Sequence, residues 1–279
     1  MKYAAASALL LFGLAACAGP GAVSPSGGLM YQVPESPSVV YVVEGGQNIN
    51  IDAGPMGSMS MTSSSEAMLA MSFAAGANGV QVTTTFQELS VSMTQPMGGS
   101  LSASESDIVG DLVFTIDPKG EGTVVTLPET KGSAEQLVSP VSFVHEFFPR
   151  LPGGAVSPGE TWTDSIQWEA STGDGDVSSS SVVTYTMVGD TVVDGLALLH
   201  ITYEGEADVV GSGFTEGMEV LQAVSGDVAG MFLWDPARGL MVSGESSQDM
   251  DGTVEVPAAG MPPMPVSVSG SGTVRLQGG

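Results

Sequence analysis

Histidine, cysteine and methionine are the soft or titratable side chains that could do chemistry here, and they number two, one and sixteen in 279 residues. His145 is followed by Glu146, with no second histidine four residues on, so the helical zinc-protease pair is missing. No G-x-S-x-G elbow and no phosphate-binding glycine loop occurs. Serine and aspartate are so abundant that a Ser–His–Asp grouping around His200 or His145 leaves no trace in the spacing. The chain therefore reads as no enzyme, with no catalytic residue and no cofactor assigned. Cys17 stands alone, which excludes intrachain disulfides, thiolate zinc centres and iron–sulfur clusters. Asp174-Gly175-Asp176 and Asp249-Met250-Asp251-Gly252 with Glu255 bring oxygens together. Neither keeps the calcium-loop spacing of alternating ligands, glycine and a distant glutamate, so both read as solvated turns and no metal site is assigned. The methionines gather at Met56, Met59 and Met61, then Met68 and Met71, and again at Met261 and Met264. Thioethers are soft donors suited to Cu(I), a minor alternative here. Filling core gaps or lining an adaptable apolar pocket is the preferred role.

Thirty-one acidic residues against six basic ones give a net charge of −25. That excludes nucleic acid as a partner and disfavours docking on anionic lipid through the protein surface. At 42% hydrophobic residues the chain can bury a core. The abundance of Gly, Ser, Thr and Val points to strands and turns.

The first residues carry an address. Met1-Lys2 precedes an apolar run from Ala4 to Gly13, about ten residues and too short to span a bilayer. It ends Leu14-Ala15-Ala16-Cys17, which resembles the lipobox of bacterial lipoproteins. The resemblance implies removal of residues 1–16 as a lipoprotein signal peptide and attachment of diacylglycerol to the Cys17 sulfur. Each buried CH₂ then adds about 0.8 kcal/mol of membrane affinity. Ala18 lacks the aspartate that retains some lipoproteins at the inner membrane. The expected location is therefore the cell envelope, lipid-anchored at the outer membrane and facing the periplasm, with the membrane as a partner through the N-terminal lipid. Residues 17–38, rich in Gly, Pro and Ser, read as a flexible tether.

From Val39 to the C-terminus, alternation dominates. Val80, Val82, Thr84 and Phe86 face one way; so do Leu199, Ile201 and Tyr203, and Val266, Val268, Gly270, Gly272, Val274 and Leu276. One apolar and one polar face is the signature of antiparallel, half-buried strands. The last run spans about 40 Å, and its two glycines permit a strong bend. Phe86 and Leu89 cannot share a face without a turn or bulge at Gln87-Glu88. Turns are expected at Asp117-Pro118, Asp174-Gly175, Asp194-Gly195, Asp235-Pro236 and Asp251-Gly252. The predicted architecture is mainly β, a curved antiparallel sheet forming an open or half barrel, with one short helix. That helix is placed at 139–148, with Ser139 as N-cap, Pro140 at its first position and Pro149 as its stop. Gly110 to Gly120 resembles Gly226 to Gly239, each a strand running into an Asp-Pro hairpin. Two readings stand: ordinary hairpins, or duplicated halves 39–135 and 155–279 joined by the helix.

Leu151-Pro152-Gly153-Gly154-Ala155-Val156-Ser157-Pro158-Gly159-Glu160-Thr161-Trp162 is similar to a segment of uncharacterised bacterial β-rich envelope lipoproteins, grouped as a domain of unknown function. That resemblance implies a lipoprotein with a curved sheet over 39–279 and carries no catalytic residues. A curved sheet with a helix in its hollow also resembles periplasmic lipoprotein carriers. The expected function is a non-enzymatic module binding an apolar small molecule or lipid, with Val141, Val144 and Phe148 of the helix lining the pocket. The rival is a structural or scaffolding lipoprotein with a fully packed core. Opposing strands rich in Gly, Ser and Met predict a loosely packed helix.

Overall fold

The computed structural model describes residues 28–54, 57–95, 99–172, 175–215, 218–260 and 262–277. The N-terminal segment through residue 27, including Cys17, and Met56, Asp174 and Met261 lie outside these residues. The strands are β1 (Ser38–Asp52), β2 (Ser58–Gly76), β3 (Gly79–Thr94), β4 (Ser100–Ser104), β5 (Ile108–Val109), β6 (Leu112–Ile116), β7 (Gly122–Thr126), β8 (Glu129–Thr130), β9 (Thr161–Thr172), β10 (Gly175–Val193), β11 (Leu196–Thr215), β12 (Met218–Asp235), β13 (Leu240–Glu255) and β14 (Met264–Gln277). Two helices, α1 (Ala134–Leu137) and α2 (Pro140–Glu146), fall between the two runs of long strands.

The main sheet runs β7-β6-β3-β2-β1-β14-β13-β12-β11-β10-β9, with β4 beside the outer part of β3, and its neighbours pair antiparallel. The first and last strands of that path do not pair, so the curled sheet is a half-barrel. The chain enters at the middle: β1 pairs with β2 on one side and with β14 on the other. From β1 the chain builds outward to the edge strand β7, and on the other flank it returns from the edge strand β9 inward to β14. The longest strand, β11, has 20 residues, about 65 Å of extended chain.

Local sequence explains the punctuation. Asp194 and Gly195 both have positive φ, 52° and 82°, which is the two-residue turn whose twist matches a hairpin. Asp117 Oδ1 accepts from the backbone N–H of Lys119 and Glu121, and Asp235 Oδ1 from those of Ala237 and Arg238. The two Asp-Pro hairpins thus share their turn chemistry, at the same end of the sheet. The ladder slips where Met68 faces Glu88 but Leu69 faces Phe86, so Gln87 is the extra residue of a bulge. Asp251-Gly252, expected as a turn, instead lies inside β13 opposite Ser225 and Val224. A Cβ on Gly252 would come within 1.9 Å of the Ala223 carbonyl oxygen, so glycine there permits close strand approach.

Register places the buried apolar residues of the long strands on one face. Tyr41 is level with Leu69 and Leu276, and Ile51 with Met59 and Val266. That concave face carries two apolar clusters. At the end where β1 begins, Tyr41, Leu69, Phe73, Phe114, Phe232 and Trp234 pack with Val144 of α2 and with Phe148, which lies just beyond the helix expected to reach it. At the opposite end, Ile51, Val224, Met250, Val254, Val266 and Val268 pack among themselves. We call these the capped end and the far end.

Candidate functional site

Helix α2 sits against both β7 and β9, the two edges of the open sheet, and so bridges the gap in the half-barrel. Ser139 caps it by accepting from the Ser142 N–H at 3.3 Å, and Pro140 occupies its first turn. The phenylalanines that follow are well gripped. Phe148 is 1% exposed and meets the Tyr31, Phe73 and Phe114 rings at centroid separations of 5.4, 6.4 and 5.9 Å. The expected loose packing is not what the structure shows. The small residues of the opposing strands lie elsewhere, and the helix meets aromatic rings instead.

The chain before β1 is also part of this core. Leu29 and Tyr31 are buried, the Leu29 N–H donates to the Gly154 carbonyl, and the Tyr31 hydroxyl donates to the Pro149 carbonyl. A stretch read as tether as far as Ser38 is therefore docked from Gly28 onward. Its Gly-Ser-Pro composition hid two anchoring side chains.

Between the two clusters the concave face changes character. Gly45, Gln47, Ser63, Ser65, Gly270 and Gly272 on β1, β2 and β14 are level with Ser246 and Gln248 on β13. These small side chains leave a hollow of about 760 Å³, within the range of small-molecule sites. Its other wall is aromatic and aliphatic: Phe147 and Phe148 from the helix region, Trp168 from β9, Tyr185 and Tyr203 from β10 and β11, and Phe232 from β12. Of the three residues expected to line a pocket, only Phe148 borders this hollow. Val144 is fully buried in the core beneath it, and Val141 is half-buried away from it.

Serine and glutamine side chains make up most of the hollow's polar lining, and its ionisable groups are glutamates and tyrosines. The Trp168 Nε1–H donates to Glu146 Oε1 at 2.8 Å, tying the helix to β9. Glu146 keeps contact with solvent, yet the surrounding protein strips enough water to push its carboxyl above the usual carboxylate range. The Trp168 hydrogen bond opposes that rise. Burial pushes the Tyr185 phenol up to about 12 and raises that of Tyr203, so both stay protonated hydroxyls. Glu146 and Trp168 were not foreseen as a pair. The usable signal was that Trp168 shares the Trp162 face of β9 by alternation, while its helical partner lies 22 residues away.

Arg150 is buried just outside the hollow, 3% exposed. Its guanidinium donates to the Gly120 carbonyl, and its backbone N–H donates to the Tyr185 hydroxyl at 3.4 Å. Among the described residues, no lysine or arginine lines the hollow. His145, on the other side of the helix, has its pKa lowered by burial and then by Arg150, with Glu121 opposing.

Met59 and Met61 alternate on the concave face of β2 and flank the far cluster, where their neighbours are aliphatic. Asp249 and Asp251 share the outer face of β13, where Asp249 stands opposite Asp227 and Asp227 opposite Glu206. Among the described residues, no three His, Cys, Asp or Glu side chains are grouped to hold a metal ion. No helix among them is long and apolar enough to cross a membrane.

No family model matches this sequence, and no curated protein matches it. Among solved structures, Salmonella typhi OmpF in complex with daunomycin is similar over 85% of this chain and 97% of its own, at 6% identity and a TM-score of 0.23. A likeness at that score carries no argument about fold or function.

Proposed function

We propose that this chain is a lipid-anchored envelope lipoprotein, held at the outer membrane through Cys17, that binds an apolar small molecule or lipid without catalysing a reaction. The observation that carries the binding role is the hollow itself. A sheet built to pack would continue its apolar clusters through the waist; here glycines and serines interrupt them and leave about 760 Å³ walled by aromatic rings. The anchoring rests on the Leu14-Ala15-Ala16-Cys17 segment. Ten residues separate Cys17 from the docked Gly28, a reach of at most about 40 Å. The tether meets the fold at the capped end, so that end is the one held near the bilayer.

The scaffolding alternative draws support from the tight ring of aromatic contacts around Phe148. Native mass spectrometry separates the two. The chain from residue 17 with Cys17→Ser, purified from its own envelope without detergent, should carry a bound apolar molecule or take one up. A clean protein mass with no uptake of neutral apolar fluorophores would overturn the binding role and leave the scaffold. Anchoring has its own check: Cys17→Ser should abolish incorporation of labelled palmitate, and retained label would contradict the lipid attachment.

A further inference from the structure

The hollow is not uniformly apolar. Its lining includes Glu146 and Glu245, of which Glu146 has an aromatic hydrogen-bond partner, and it lacks cations among the described residues. Arg150, buried outside the lining, is occupied by the Gly120 carbonyl, and its backbone N–H donates to the Tyr185 hydroxyl. An amphiphile with an anionic head would have to place its charge beside Glu146 in a partly desolvated site with nothing to neutralise it, which is strongly unfavourable. A neutral head would cover the part of the Glu146 carboxylate that now meets solvent and offer it no counter-charge. A cationic head satisfies it.

We infer that the hollow takes an amphiphile with a single ammonium head, the head set against the Glu146 carboxylate beside the Trp168 ring and the apolar tail laid along Tyr203, Val228 and Phe232. The helix supplies the carboxylate at the bridged edge of the half-barrel, and the long strands supply the apolar wall. Burial already disfavours the Glu146 charge, so a bound ammonium restores what desolvation removed. The net charge of −25 lies mostly on the exposed face and attracts any cation over about one Debye length. A specific site must therefore be told apart from that general attraction. This ligand class rests on the hollow being a binding site at all.

Three ten-carbon probes that differ only in the head test it: decyltrimethylammonium, decanol and decanoate. Each competes with the neutral dye N-phenyl-1-naphthylamine for the chain from residue 17 with Cys17→Ser, in 0.15 M salt. The ammonium should bind about tenfold more tightly than the alcohol, and the carboxylate more weakly than either. Glu146→Gln, which keeps an oxygen to accept the Trp168 N–H, should erase the ammonium's advantage over decanol. Asp249→Asn, on the outer face, should leave that advantage intact. Equal binding of the three probes, or an ammonium advantage that survives Glu146→Gln, overturns the ammonium class while the hollow stands. If neither the dye nor any probe binds, the hollow fails as a binding site and the ammonium class fails with it.

Discussion

The two ends of the concave face are built on the same strands, with the same alternation, yet they are filled differently. At the capped end aromatic rings, helix α2 and the docked Leu29 and Tyr31 fill the space over the sheet. At the far end small or medium side chains such as Ala207, Val224 and Val266 pack together along neighbouring strands. One end is thus filled by bulk brought in from outside the long strands, the other by the strands' own side chains. The waist between has glycines and serines in place of either, and that is where the hollow lies.

The contrast predicts unequal costs. Phe148→Ala removes a ring in contact with four others at 1% exposure and should cost about 3–5 kcal/mol in a urea titration. Met250→Ala, buried among aliphatics at the far end, should cost about 2–3 kcal/mol, since a flexible neighbourhood collapses more readily into the gap. If the far-end change costs more, the ranking of the two ends is reversed. Ser139→Ala removes the cap of α2 and should cost about 1 kcal/mol. A far-end variant should leave that cap energy unchanged, because distant sites add independently.

The smallest expected effect concerns pH. The folded-state pKa of Glu146 is raised, so the folded protein binds this proton more readily than the unfolded chain. The group's contribution to stability is then fully present below the ordinary glutamate pKa of about 4.3, and it is lost as pH rises through the raised folded value. Subtracting the stability of Glu146→Gln from that of the wild type across this window should leave a decline with rising pH. A flat difference would show that the carboxyl is as well solvated folded as unfolded.

Much of this arrangement was legible in the sequence. Period-two alternation is a backbone property, so Val266 to Leu276 and Leu199 to Tyr203 announced both strand and face. Ser139-Pro140 marked the helix start because capping and the fixed proline φ act within one turn. The bulge at Gln87 followed from the phase of Phe86 against Leu89. The site was harder to read. Glu146 meets Trp168 through the closing of the sheet gap, which no local pattern encodes. Leu29 and Tyr31 looked like tether because their neighbours are glycine, serine and proline. Asp251-Gly252 looked like a turn because the same dipeptide serves hairpins and close strand approach alike. The four-residue α1 is too short to leave a periodic signal.

The waist offers the most direct test of the central claim, that the gap between the two clusters is a binding space and not merely thin packing. Ser63→Leu with Ser181→Leu adds apolar bulk to facing walls of the hollow without touching either cluster. In a binding space the added side chains have room. N-phenyl-1-naphthylamine affinity should then fall at least about tenfold while the urea midpoint holds or rises. In a packed scaffold the same change overfills the interior and costs about 1–3 kcal/mol. Loss of stability in a protein that never bound the dye, or dye binding that survives both leucines, would contradict the account.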